Sequence, residues 1–183
     1  MMIKVCGITR REDALAAAEA GASALGFIFY SKSPRYVTPS TAAELGEGID
    51  AWKVGVFVDE SPAAVETVMR AAKLDIAQIY GRAIPENTRV WKAFRPGDAV
   101  SPEGAEAILL DGPANGISFD WTIARDEQHK IIVAGGLDAS NVGDAIRIAK
   151  PWGVDASSKL ESAPGIKDRE KVRAFVKAAR EAK

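Results

Sequence analysis

The chain has 183 residues, 47% hydrophobic and 27% charged, which suits one globular catalytic domain spanning 1–183. Its formal net charge of −1 excludes a global field favouring nucleic acid or a membrane surface, while leaving room for a local phosphate site. A single cysteine excludes an internal disulfide framework and cannot alone build a thiolate metal site.

The first strand is predicted over 3–8, Ile3-Lys4-Val5-Cys6-Gly7-Ile8. Thr9 and Glu12 then read as a capping box for a helix running to about Ala20 and stopped by Gly21. A second strand covers 24–30, and after a loop Thr38-Pro39 gives an N-cap followed by proline at the first helical position. The third strand is 52–58, and Ser61-Pro62 repeats the signal for a helix to about Lys73. Strands follow at 76–80, 90–94, 107–111 and 130–134, the last running into Gly135-Gly136. A helix over about 140–149, an eighth strand at 153–157 and a helix over about 168–181 complete the pattern. That last helix places Val172, Phe175, Val176 and Ala179 on one face.

Eight apolar strands separated mostly by helices predict an α/β architecture, a closed (β/α)8 barrel with both faces of its sheet buried. A doubly wound open sheet is the alternative. Only nine residues separate Tyr80 from Val90, where a crossover commonly needs ~10–12. The fourth helix is therefore expected to shrink to a turn, and the fifth, within 95–106, to be very short.

Polar residues interrupt these strands with a period of two, so Lys4 and Cys6 share a face, as do Gln78 and Tyr80, and Asp155 and Ser157. Lys92 and Asp111 are single intruders. Unpartnered polar groups would be costly against a helix layer, so the upper barrel interior is the economical place for all of them. There Lys4 and Lys92 would offset Asp111 and Asp155. A buried ion-pair network that only sets the fold is the competing reading. Cys6 is open to two readings as well. A free cysteine is commonly a small buried hydrophobe. At a strand's C-terminal end, beside Lys4 and ahead of a helix, it also has the surroundings that stabilise a thiolate. An acid such as Asp111 and a base such as Cys6 facing one ligand are the minimum equipment for moving a proton within a small molecule.

Two further segments point to anions. Ala134-Gly135-Gly136 and Asp155-Ala156-Ser157-Ser158 end the last two strands, where small residues let backbone N–H groups approach a phosphate. Lys159 adds charge. Ser31-Lys32-Ser33-Pro34-Arg35-Tyr36 follows the second strand at the same expected mouth, and the planar fork of Arg35 suits a carboxylate.

These segments, in this order, resemble the phosphoribosylanthranilate isomerases of tryptophan biosynthesis. The resemblance rests on Lys4-Val5-Cys6-Gly7-Ile8-Thr9, on Gly26-Phe27-Ile28-Phe29-Tyr30 through Ser33-Pro34-Arg35-Tyr36-Val37, and on Val54-Gly55-Val56-Phe57-Val58. It continues through Leu109-Leu110-Asp111, Phe119-Asp120-Trp121, Gly135-Gly136-Leu137, Val154-Asp155-Ala156-Ser157-Ser158 and Glu161-Ser162-Ala163-Pro164-Gly165. It implies an Amadori rearrangement of phosphoribosylanthranilate, an aminoaldose phosphate, to the 1-deoxyribulose aminoketose. In that reaction Asp111 would protonate the furanose ring oxygen and Cys6 would remove the proton from sugar C2. Arg35 would hold the anthranilate carboxylate and Asp155 would lie near the anthranilate nitrogen. Gly135-Gly136 and Ser157-Ser158 would bind phosphate, and Gln78 belongs to the substrate-binding set. No cofactor and no metal are implied, because the substrate's own iminium is the electron sink.

The chain departs from the family pattern in four places. Tyr80 stands where histidine is usual, in Gln78-Ile79-Tyr80-Gly81. The loop Gly112-Pro113-Ala114-Asn115-Gly116-Ile117-Ser118 is short and lacks the usual lysine. Lys159 replaces a glycine, which would strain it at positive φ. The fourth and fifth connections are trimmed. A relative that binds a sugar phosphate without efficient turnover, or another phosphosugar isomerase, is the alternative function. One such enzyme is the aminoaldose isomerase of histidine biosynthesis, whose reaction is commonly run by two aspartates, against which Cys6 argues. The expected setting is cytoplasmic, with a small-molecule partner, no nucleic acid or membrane, and a monomeric or homodimeric state.

Overall fold

The computed structural model describes residues 1–81, 84–95, 97–99, 101–112 and 128–182. Eight parallel strands close into a barrel in chain order: β1 (Met2–Cys6), β2 (Ala24–Ile28), β3 (Trp52–Phe57), β4 (Ile76–Ile79), β5 (Val90–Phe94), β6 (Ala107–Asp111), β7 (Ile131–Ala134) and β8 (Gly153–Ala156). β1 pairs with β8 to close the ring, placing Lys4 opposite Asp155. The α-helices among the described residues are α1 (Arg11–Ala20), α2 (Pro39–Gly46), α3 (Pro62–Ala71), α4 (Val142–Ala149) and α5 (Arg169–Glu181).

The apolar runs divide as the pleat requires. One set of side chains, including Val54, Ile76, Trp91, Leu109 and Ile132, packs together separately from the larger core and fills the barrel. The other set, including Val5, Leu25, Phe27, Ile79 and Val133, packs outward with Val65, Phe175 and Val176 of the helices. Trp52, Trp91 and Trp152 meet with ring centroids 5.9–6.3 Å apart. Arg89 lies over Trp52 and Lys130 over Trp152, and both cations reach Glu106.

Two of the helix starts are built as the sequence predicts. Thr38 accepts from Thr41 N and Ser61 from Ala64 N, each ahead of a proline in the first turn. The start of α1 differs. The Thr9 hydroxyl donates to the Gly165 carbonyl instead of capping, and the helix begins at Arg11. Arg10 takes the cap position, and its guanidinium grips Asp13 at 2.7 and 3.0 Å. The tertiary partner outcompetes the local capping box.

Strand ends also fall short of the apolar runs. β1 stops at Cys6 because Gly7 turns to φ 75° and, with Ile8, donates to the Gly26 carbonyl. A Cβ at Gly7 would lie 2.6 Å from Arg35 Cδ, so glycine here serves both the turn and the packing of Arg35.

No helix occurs among the described residues of 80–89, as the short spacing predicts. The very short helix expected within 95–106 is absent among the described residues there, and turns take its place. Lys92 is a second correction. Trp91 and Ala93 occupy the barrel interior, so Lys92 points outward. Its Nζ donates to the Ser101 carbonyl at 3.0 Å, on a face that no helix among the described residues of 80–106 covers. The sequence also hid a short segment before α5. A 3-10 turn over Ser158–Leu160 leads into the hairpin β9 (Glu161–Ala163) and β10 (Ile166–Lys167). Among the described residues no helix is long and apolar enough to cross a membrane.

Candidate active site

The C-terminal ends of the strands surround a cavity of about 520 Å³. Cys6, Arg35, Gln78, Asp111, Gly135, Gly136, Asp155, Ser157 and Ser158 all line it, so the fold brings together every residue singled out for chemistry or binding. Tyr80, Arg95 and Lys159 join them. This is the end at which parallel barrels place their chemistry.

The thiol and the carboxyl arrive from different walls. Asp111 ends β6, held in register opposite Ala134, and its carboxylate accepts a 2.8 Å hydrogen bond from the Tyr80 hydroxyl. Burial pushes the Asp111 carboxyl above the ordinary range, against the pull of Tyr80, Lys4 and Arg95. Tyr80 is itself raised well above the usual phenol range by burial and by the facing Asp111. A phenol so held stays protonated and acts as a donor. Gln78 Nε2 reaches the Tyr80 oxygen at 3.5 Å, while Gln78 Oε1 has no partner among the described residues.

Cys6 ends β1 and is 6% exposed. Sequence context points to a stabilised thiolate, and the structure corrects that. Burial raises the thiol, and this outweighs the lowering by Lys4. Lys4 is shared with a second partner: its Nζ also donates to Asp155 Oδ2 at 2.8 Å, across the seam between first and last strands. Asp155, facing the same space, pushes the thiol further up. α1 begins only at Arg11, so no helix terminus adjoins Cys6. Burial works against the Lys4 charge, yet Asp155 and Cys6 together keep its pKa above that of an ordinary lysine. Asp155 is raised by burial despite Lys4, and its Oδ1 lacks a partner among the described residues. Two buried acceptors, Asp155 Oδ1 and Gln78 Oε1, thus await donors.

The anion turns are adjacent to both. Gly135 has φ 91°, and a Cβ there would come within 2.5 Å of the Gly112 backbone, so only glycine lets the two turns touch. The Ser157 hydroxyl donates to the Cys6 carbonyl at 3.0 Å, tying the turn after β8 to the end of β1. Lys159 sits in the 3-10 turn without positive φ, so its replacement of glycine carries no backbone strain. Residues 113–127, with the short loop after Gly112 and Phe119-Asp120-Trp121, lie outside the described residues.

Arg35 is already paired. Its Nε and Nη2 donate to the two oxygens of Glu161, each at 2.7 Å. Glu161 also accepts from Lys167 Nζ at 2.9 Å. Burial alone would raise Glu161, but these two cations outweigh it and hold the carboxylate below its usual range. Sequence reasoning gave no role to Glu161, Lys167 or Arg95. The parity of β5 gives a signal for Arg95, two residues past the inward Ala93. Glu161 and Lys167 carry no signal short of the hairpin itself. Among the described residues, no three His, Cys, Asp or Glu side chains converge as a metal site requires.

A closed parallel barrel with an acid, a thiol and anion turns around one small cavity defines a (β/α)8-barrel enzyme acting on a small anionic molecule. Comparison with known proteins narrows this. The family model described as N-(5'-phosphoribosyl)anthranilate isomerase matches residues 3–178. A relative of that name from Solibacter usitatus is 51% identical, covering 100% of this chain and 98% of the relative. The alignment runs over 201 positions against 183 residues here, so that relative carries segments this chain lacks. One from Trichlorobacter lovleyi is 43% identical over 98% of both chains. The crystal structure of phosphoribosyl anthranilate isomerase from Thermotoga maritima superposes with a TM-score of 0.90 at 34% identity, covering 98% of each chain. A phosphoribosyl anthranilate isomerase in complex with reduced 1-(o-carboxyphenylamino)-1-deoxyribulose 5-phosphate superposes at 0.87 with 35% identity, again covering 98% of each chain. The chain belongs to the N-(5'-phosphoribosyl)anthranilate isomerase family, isomerases of tryptophan biosynthesis.

Proposed function

We propose that the mouth performs the Amadori rearrangement of phosphoribosylanthranilate, with Asp111 as general acid and Cys6 as general base. The observation that carries this is the convergence of both groups on one cavity from β6 and β1, with anion turns beside them. Asp111 gives a proton to the ring oxygen as the bond from that oxygen to C1 breaks, and nitrogen's lone pair closes an iminium. Cys6 takes the C2 proton, and its electron pair flows into the iminium to give an enolamine. Tautomerisation yields the C2 ketone. The raised Asp111 pKa favours the donor form this step needs. The raised thiol pKa works against the base until the iminium forms, whose positive charge favours thiolate.

Asp155 Oδ1 is the free buried acceptor for the anthranilate N–H, and Gln78 Oε1 for a sugar hydroxyl. Gly135-Gly136 and Ser157-Ser158 bind the phosphate, and Arg35 the carboxylate. One domain over 1–183 working as a monomer or homodimer in the cytoplasm suits this chemistry. One neighbouring structure is described as monomers generated from a dimeric isomerase of Thermotoga maritima. The test is a spectroscopic assay with enzymatically generated phosphoribosylanthranilate, comparing the chain with Asp111→Asn and Cys6→Ala. Near-normal turnover in either variant removes that residue from the mechanism.

A further inference from the structure

Arg35 has five N–H donors in a rigid fork, and Glu161 takes only one edge of it. The Nε–Nη2 edge is closed by two 2.7 Å bonds. The Nη1–Nη2 edge makes no further hydrogen bond to the described residues, and Arg35 lines the same cavity as Cys6. That free edge is itself the pair of parallel donors that a second carboxylate accepts.

Both ends of the arrangement are fixed. The stem of Arg35 packs on Gly7, where even a methyl group would collide with Cδ. Glu161 is fixed in turn by Lys167 Nζ at 2.9 Å, and its backbone carbonyl accepts from Lys171 Nζ at 2.8 Å. Lys167 also donates from Nζ to the Ser157 carbonyl, and from its backbone N–H to the buried Asp13 carboxylate at 3.0 Å. The Glu161 and Lys167 side chains are 5% and 1% exposed, against 20% for Arg35. A buried carboxylate shared between two cations leaves one positive charge over, and Arg35 is the cation turned toward the mouth.

We propose that Glu161 is a positioning residue for carboxylate recognition. By gripping one edge of the Arg35 guanidinium it sets the plane of the fork and presents the opposite edge to the substrate. The inference rests on the reading that Arg35 takes the anthranilate carboxylate. Without Glu161 the guanidinium can rotate about its long side chain, and the entropy of fixing it falls on substrate binding.

The test compares two ligands by calorimetry: the reduced aminoketose phosphate, 1-(o-carboxyphenylamino)-1-deoxyribulose 5-phosphate, and its phenylamino counterpart lacking the carboxyl. Glu161→Gln is expected to weaken the carboxylated ligand about tenfold and leave the other within a factor of two. In turnover the same variant raises KM and preserves kcat. Should Glu161→Gln fail to fold, Glu161→Asp carries the comparison, since it keeps the charge for Lys167 and shortens the reach to Arg35. Equal weakening of both ligands, or of neither, overturns the proposal. Arg35→Ala separates the two claims. If that variant does not distinguish the ligands, the role of Arg35 fails and this inference with it. If it does while the Glu161 variants do not, only the positioning role fails.

Discussion

The wall of this barrel is thick on one side and thin on the other. From β7 through β8 and β1 to β3 the sheet is backed by α4, α5, α1, α2 and α3, with Val172, Phe175, Val176 and Ala179 of α5 fully buried. From β4 to β6 the described connections hold no helix. Phe94 and Leu110 are half-buried there, and a cavity of about 780 Å³ opens beside Ile84, Lys92 and Phe94. The inner faces show no such difference: Trp91 and Leu109 on the thin side are as buried as Val54 on the thick side. The candidate acid stands in the thin sector and the candidate base in the thick one. Among the described residues, Asp111 is held by its ladder to β7 and by Gly112 N donating to the Ala134 carbonyl. Outer cover and inner chemistry are therefore separable in this fold.

The sharpest way to break that separation is at the reacting groups. Asp111→Asn keeps the shape and removes the transferable proton, and Cys6→Ala removes the base. Each is expected to lower kcat by about 10²–10⁴-fold with substrate affinity nearly kept. If thin cover loosened the acid, Asp111→Asn would cost far less than Cys6→Ala, and the assay reads that asymmetry directly.

Stability gives the next largest contrast. Phe175→Ala empties a fully buried site between α5 and the barrel and is expected to cost about 3–5 kcal/mol. Phe94→Ala, at a site already half open, is expected to cost about 1–2 kcal/mol. Urea unfolding of the two variants checks this, and equal losses would mean that the loops cover β5 as well as helices do. Smaller still is Arg35→Ala, expected to raise KM roughly ten- to hundredfold while kcat holds, as lost ground-state binding does.

The eight strands, both capped proline starts and the lack of a helix among the described residues of 80–89 were all readable from periodicity and spacing, because backbone and burial constraints there are local. Lys92 misled because a polar residue in a strand has two low-cost destinations, and a partner outside the strand, the Ser101 carbonyl, decides between them. Thr9 misled because its hydroxyl had a better partner 156 residues away. The candidate site was legible as strand-end residues, and all of them line one cavity. Their electrostatics were not. The upward shift of Cys6 comes first from burial, with Asp155 adding to it from across the β1–β8 seam, and both are set by barrel closure. Glu161 lay in a segment with no periodicity to read, and its meaning comes from Arg35 reached across 126 residues.

The smallest expected effect sharpens the thin side most, since it isolates one hydrogen bond between β6 and the end of β4. Tyr80→Phe deletes the donor to Asp111 and little volume. Burial already places the Asp111 carboxyl above its ordinary value, while Tyr80, Lys4 and Arg95 favour the ionised form. Losing Tyr80 removes one stabiliser of the carboxylate, so the pKa rises further. The inflection of kcat/KM belonging to Asp111 then moves to higher pH, whichever side of the optimum it occupies. Stability follows the same sign. A raised folded-state pKa means that ionising Asp111 costs stability as pH rises through that value, and Tyr80 offsets part of this cost. Tyr80→Phe should therefore lower the Tm more at pH 7, where the carboxylate needs its donor, than at pH 3, where the acid is neutral in both states. A pH-independent loss would show that Tyr80 only fills space beneath Arg95.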